Sequence, residues 1–219
     1  MKIRTDHELF DKIDTELSWR RLDILRLRKV ILETRSRDEL SYKTLLRSAI
    51  PLIYAHWEGF IKESSLALFN FISMRKLRYR SLNKGFFSLY LQTQFLSDQG
   101  SNDFEKGAAI VEFFQNNLED RSNIKSIPEP IKTRSNLNSL VLKEIFFVLD
   151  LDYEMFRGFE VFIDNRLLES RNKIAHGEYR EVDWAFYDEI HTNIIQLLSN
   201  FRDQIQNMVV QKKYFRTPL

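Results

Sequence analysis

Apolar residues recur along most of this chain at helical spacing. From His7 to about Thr34, Leu9, Phe10, Ile13, Leu17, Leu22, Leu25 and Val30 fall mostly three, four or five residues apart, as on one face of a helix. Asp6 stands ahead of them as an N-cap. A second segment runs from about Asp38 to Lys76, with Leu52, Ile53, Phe60, Ile61, Leu68, Phe69 and Ile72 on a wide apolar face. Pro51 lies inside it and either kinks the helix or opens a new one. Asn83-Lys84-Gly85 and Ser97 to Asn102 read as turns, around helical stretches Phe86 to Leu96 and Phe104 to Leu118. Arg121 to Asn136, with Ile127-Pro128-Glu129-Pro130, reads as a long loop of the kind that is often functional. Leu137 to Leu149 and about Glu154 to Ala175 are helical again. Asp183 caps a last helix reaching about Gln211. Strand alternation and hairpin turns are missing. The pattern predicts an all-α bundle of long antiparallel helices with additional shorter ones. It forms a single domain over residues 1–219, with a less regular helical insertion at about 79–136.

Composition narrows the chemistry. Hydrophobic residues make up 43% of the 219 positions, enough for a sizeable core. The absence of cysteine excludes disulfides, thiolate nucleophiles, cysteine-rich zinc sites and iron–sulfur clusters. The four histidines, His7, His56, His176 and His191, include no pair at helical metal-ligand spacing, and the six glycines build no phosphate-cradling loop. Neither a metal nor a cofactor is expected.

Thirty-three basic against thirty-one acidic residues leave a net charge of +2, which does not by itself imply nucleic acid. One local run does stand out. Between Met74 and Lys84 lie Arg75, Lys76, Arg78, Arg80 and Lys84 without an acid; it is either a solvated helix face or a surface that tracks RNA phosphates. The first residues lack the apolar core of a secretory signal. No apolar run approaches the ~20 residues that span a bilayer. A soluble cytoplasmic protein without a membrane partner is expected.

The stretch Leu167 to Glu178 carries the most chemistry. It reads as the end of a helix stopped at Gly177. There Arg171 and His176 either tend the helix end or form a site. On a helix Asn172 and His176 share a face, so the amide can orient the imidazole. Arg171 sits about 140° around and ~7.5 Å along the axis from His176, and its long side chain can still converge on a phosphate beside the imidazole. The guanidinium fork matches phosphate oxygens, and histidine passes protons near neutral pH.

Arg171-Asn172-Lys173-Ile174-Ala175-His176 resembles the Arg-x4–6-His motif of HEPN domains. Tyr54-Ala55-His56-Trp57-Glu58-Gly59-Phe60-Ile61-Lys62 is similar to a second hallmark, that of the prokaryotic MAE-type HEPN-like nucleases. Ser135-Asn136-Leu137-Asn138 also fits that branch. The resemblance implies a HEPN-like helical bundle that dimerises and, in active members, is an endoribonuclease cutting RNA without metal. Many such proteins belong to toxin–antitoxin or phage-defence systems. It carries Arg171 and His176 over as catalytic residues and Asn172 as their polar neighbour. The tyrosine that some members place two residues past the histidine is Glu178 here, so its role is not transferred.

The expected reaction is attack of the ribose 2′-OH on the adjacent phosphate, leaving a 2′,3′-cyclic phosphate and a 5′-OH. It needs a base and an acid on opposite sides of phosphorus. One chain offers one motif histidine, so a homodimer is expected to supply both. The expected partners are RNA (tRNA or mRNA), a second copy, and a cognate antitoxin or second defence protein. His56, Glu58 and Lys62 are supporting candidates; Trp57 is expected in the core, and His7 and His191 in structural or exposed places. The alternative is a non-catalytic HEPN module that binds nucleotide, RNA or a partner protein.

Overall fold

The computed structural model describes residues 2–96 and 102–216. Its helices are α1 (Asp6–Arg35), α2 (Glu39–Arg75), α3 (Lys84–Leu91), α4 (Asp103–Asn116), α5 (Ser139–Leu149), α6 (Glu154–Arg157), α7 (Glu169–Ala175) and α8 (Trp184–Val210). Wider π turns occupy Gln92–Leu96 and Phe162–Leu168. No strand occurs among the described residues, where two isolated bridges are the only β pairing. The all-α expectation holds.

Three long helices form the frame. Contacts of α1 with α2 pair Asp6 with Arg75, Arg20 with Gly59 and Asp23 with His56, so the two helices run antiparallel. Asp14 meets Arg202 and Arg28 meets His191, which makes α1 and α8 antiparallel too. Buried α1 positions are Leu9, Ile13, Leu17, Arg20, Ile24 and Ile31, a stripe of helical period. Leu22, Leu25 and Val30, expected on that stripe, are instead 47–49% exposed. Helix α1 is apolar on two sides, and a pattern of apolar positions does not say which side faces in. Thr5 rather than Asp6 is the N-cap, and its hydroxyl and Glu8 complete a capping box. Pro51 neither ends nor restarts α2, which runs through it; its ring removes the one hydrogen bond to the Arg47 carbonyl.

Trp57 is wholly buried, as expected. Gly59 faces Arg20, whose Nη2 would lie 3.1 Å from an added Cβ. That guanidinium pairs with Glu16 and covers the Trp19 ring at 4.2 Å.

The middle of the chain differs from its expected form in two places. Gly85 does not lie in a turn. It is the second residue of α3, behind the cap Asn83, and its missing side chain lets α3 rest on the backbone of α5. The other turn cluster, Ser97 to Asn102, lies outside the described residues except for Asn102, the N-cap of α4. From Glu154 to Ala175 the helix is not continuous: α6 stops at Gly158 and the π turn intervenes before α7. No helix among the described residues is long and apolar enough to cross a membrane.

A Cβ at Gly85 would overlap the carbonyl oxygens of Phe147 and Val148, and backbone cannot rotate away. Gly85→Ala should lower stability by about 1–3 kcal/mol. Gly107→Ala in α4, with nothing within 4 Å, should raise it by about 0.5–1 kcal/mol. Thermal melts of the two variants check this; equal melting temperatures would contradict the close α3–α5 contact.

Candidate active site

Tyr54 lies on the flank of α2 that faces α7 and is 1% exposed. The Arg171 guanidinium sits over its ring, 4.7 Å from the centroid. The Tyr54 hydroxyl accepts the Leu137 N–H at 2.7 Å. Arg171 Nη1 donates to Asn136 Oδ1 at 3.3 Å and to Asn172 Oδ1 at 2.7 Å. Three stretches distant in sequence, around residues 54, 136 and 171, therefore meet at one guanidinium.

The backbone leading to Asn136 is unusual. Arg134 and Ser135 are both left-handed, with φ of 54° and 59°, each costing a side-chain-bearing residue about 1–2 kcal/mol. Two residues past Leu137, Ser139 donates from its N–H (2.7 Å) and its hydroxyl (2.6 Å) to the Asp164 carboxylate. Asp164 belongs to the π turn that precedes α7. The carboxylate also faces the positive end of α5, so Asp164 ties the Asn136 strap to the element carrying Arg171.

Helix α7 ends as the sequence predicts, at Gly177 with φ 78°. Glu178 N–H reaches back to the Lys173 carbonyl and Gly177 N–H to that of Ile174, the paired bonds of a Schellman stop. His176 is the C-cap, and its imidazole is exposed. The expected bond from Asn172 to that imidazole is not formed. The Asn172 amide oxygen turns to Arg171, and the Asn172 backbone carbonyl takes the His176 N–H at 2.9 Å.

The supporting candidates divide by helix angle. Glu58, one turn beyond Tyr54, lies on the same flank. Burial pushes the Tyr54 phenol well above its ordinary pKa; the Leu137 N–H and Arg171 oppose the shift and Glu58 adds to it. His56 is 200° around α2 from Tyr54 and turns to α1, where it is buried against the Trp19 ring with Nε2 3.9 Å from Asp23. The structure does not bring it to Arg171. Lys62 is exposed further along α2.

The basic run lies elsewhere. Arg75 is 21 residues beyond Tyr54 on α2, about 30 Å at 1.5 Å per residue. It pairs with Asp6, while Arg78 and Arg80 share Glu119. Lys76 is exposed at the end of α2, and Lys84 lies over the Phe147 ring at 5.6 Å. His7 pairs with Asp11 at the distant end of α1, and His191 is buried beside Arg28. Among the described residues no group of three or more histidine, aspartate or glutamate side chains could hold a metal ion.

Tyr54 and Asn136 lie within the family-like stretches of the sequence but carry no expected role there. The readable signal was that Tyr54 precedes Glu58 by one helical turn, on a face opposite His56. Nothing local pointed to Asn136, whose partner is 35 residues away.

An all-helical frame with an arginine and a histidine on one short helix, braced by α2, defines a HEPN-like protein. The chain belongs to the MAE_28990-like HEPN family, whose model matches residues 9–214. No match was found among curated proteins or among solved structures.

Burial pushes the His56 imidazole pKa down, with Asp23 opposing and Arg20 adding; burial and Arg28 do the same to His191, against Asp188. Both rings stay neutral in the fold at pH values where the unfolded chain, with histidine near 6.5, takes up protons. Their contribution to stability is therefore full above about pH 6.5 and is lost as pH falls toward the lowered values. Glu16 acts lower. Although burial works against it, hydrogen bonds from Lys12, Arg20 and Trp19 hold its carboxyl at about 2. The melting temperature should fall from pH 7 to 5, and His56→Gln with His191→Gln should flatten that slope. An unchanged slope in the double variant would refute the assignment.

Proposed function

We propose that this protein is a metal-independent endoribonuclease that cuts tRNA or mRNA as a toxin or phage-defence effector. The observation that carries the reading is the company Arg171 keeps. Arg20, Arg28, Arg75, Arg78, Arg80, Arg134, Arg157, Arg166 and Arg202 each pair with a carboxylate. Arg171, like the partly buried Arg21, Arg47 and Arg180, has none within ion-pair distance among the described residues; what distinguishes it from these three is that two amide oxygens and a ring together hold it. Its charge is not neutralised, and both hydrogen bonds leave from Nη1. The rest of the fork is available to phosphate oxygens.

In the proposed reaction the 2′-oxygen attacks phosphorus, its proton passes to one imidazole, and the P–O5′ bond breaks. The departing 5′-oxygen takes a proton from a second imidazole on the opposite side. Arg171 stabilises the charge gathering on the non-bridging oxygens. His56 and His191 are buried away from Arg171, and His7 is at the distant end of α1, so the second imidazole is His176 of another copy. A symmetric homodimer follows from that need, and a cognate antitoxin would act by covering the exposed His176 or the dimer face.

Because His176 is exposed and its ring makes no hydrogen bond among the described residues, His176→Ala should leave stability within about 0.5 kcal/mol. It should lower cleavage of labelled RNA in EDTA about a hundredfold or more, with products of the wild type ending in a cyclic phosphate. Undiminished cleavage by the variant sinks the proposal. Saturable RNA binding by the wild type without cleavage would favour the non-catalytic module.

A further inference from the structure

A groove of about 850 Å³ lies between the π turn Gln92–Leu96, α5 and the strap at residues 127–134. The geometry points to this groove as the subsite for single-stranded RNA flanking the scissile phosphate, an inference that rests on the nuclease reading above. Four observations converge on it.

The first is continuity. Arg134 lines the groove, and Asn136, two residues on and at most about 7 Å of chain away, holds Arg171. The Arg134 end of the groove therefore lies near the guanidinium of Arg171.

The second is chemistry. Three cations, Lys132, Arg134 and Lys143, line it against two acids, Glu129 and Glu144, beside Pro128, Pro130 and Phe147, and Phe147 is 50% exposed. Cations that track a backbone beside aromatic faces that take bases are the means by which single strands are held. Lys132 has no ion pair among the described residues. The pair Arg134–Glu144 lies at the surface, where such pairs are weak and a phosphate can displace the carboxylate; Lys143 is half-buried and pairs with Glu160.

The third is backbone strain. Among the described residues, six that are not glycine have positive φ. Lys76, Asp150 and Lys212 stand at or just past helix C-termini, where that conformation is ordinary. Glu129, Arg134 and Ser135 do not; the first two are on this strap and Ser135 follows it directly. Strain held away from helix ends gathers at ligand clamps.

The fourth is the fate of the basic run. Of Arg75, Lys76, Arg78, Arg80 and Lys84, Lys84 reaches the groove, through Phe147, and Arg75 is remote. The RNA path runs along the strap and not along the end of α2.

The test measures binding of a fluorescent single-stranded RNA of about twelve nucleotides to the His176→Ala protein across a salt series. Adding Lys132→Gln and Lys143→Gln should weaken binding and reduce the slope of log Kd against log salt by about 1.4, two contacts at about 0.7 each. Phe147→Ala should weaken binding about tenfold. Arg75→Gln with Arg78→Gln should change neither quantity. Unaltered affinity in either groove variant overturns the subsite. Cleavage by the otherwise wild-type proteins separates the two claims. If the wild type does not cut but the groove variants lose RNA, the subsite stands and the nuclease reading fails. If it cuts and the groove variants bind and cut as well as it does, the subsite alone fails. Absence of RNA binding by every form overturns both.

Discussion

The Tyr54 side chain is the constraint from which the site's geometry follows. Its ring carries the Arg171 guanidinium and its hydroxyl accepts the Leu137 N–H. It stands on the longest helix, whose other flanks are fixed against α1 and α8. An aromatic face holds an arginine without cancelling its charge, which a carboxylate in the same place would do. Burial and Glu58 together keep the phenol protonated, so the support under Arg171 does not itself titrate in the neutral range. The attraction is modest, about 0.5–2 kcal/mol for such a pair. Its consequence lies in position, because Asn136 and Asn172 then close on the guanidinium from two further elements.

The same reasoning explains why the rest of the positive charge is spent differently. Arg20, 5% exposed, has Glu16 beside it, and a buried cation without such a partner would be costly. Arg28 and Arg202 join α1 to α8 through Asp188 and Asp14, and Arg166 joins the π turn to α8 through Glu189 at 2.5 Å. These pairs fix how the helices lie against one another. Arg171 stands apart in joining its elements through amides and a ring.

How much of this was legible in the sequence depends on range. The frame was, because periodicity and caps are local: Asp183 caps the helix it precedes, Gly177 stops α7, and the cap of α1 is Thr5, one residue before the expected Asp6. The separation of His56 from Glu58 was legible too, since two residues on a helix are 200° apart. Which side of α1 faces in was not, because Leu22 and Ile24 are equally apolar and only packing against α2 and α8 decides between them. The break after α6 falls at Gly158 and Phe159, and the π turn beyond it was hidden for a related reason: it keeps the apolar residues Phe162, Ile163, Leu167 and Leu168 buried and looks like ordinary helix in sequence. The Asn172 bond was misread because a side chain has several neighbours within reach. The adjacent cation Arg171 offers a charge-assisted donor directly beside the amide, whereas the imidazole lies a full turn away.

That π turn bears on why the site sits where it does. Asp164 within it holds Ser139, Ser139 follows Leu137 by two residues, Leu137 is held by Tyr54, and Tyr54 carries Arg171, seven residues after Asp164. The contacts form a closed circuit through α2, the strap, α5 and α7. In a closed circuit no member shifts without disturbing the next, so the left-handed residues Arg134 and Ser135 persist despite their cost: the ends of their strap are fixed independently of them. His176 is outside the circuit, one residue before the chain turns away at Gly177, with no side-chain bond to hold it. A rigid arginine beside a free imidazole suits a site in which the phosphate is fixed first and proton transfer waits on a second copy. The division between bound and unbound groups within α7 thus matches the roles proposed for Arg171 and His176.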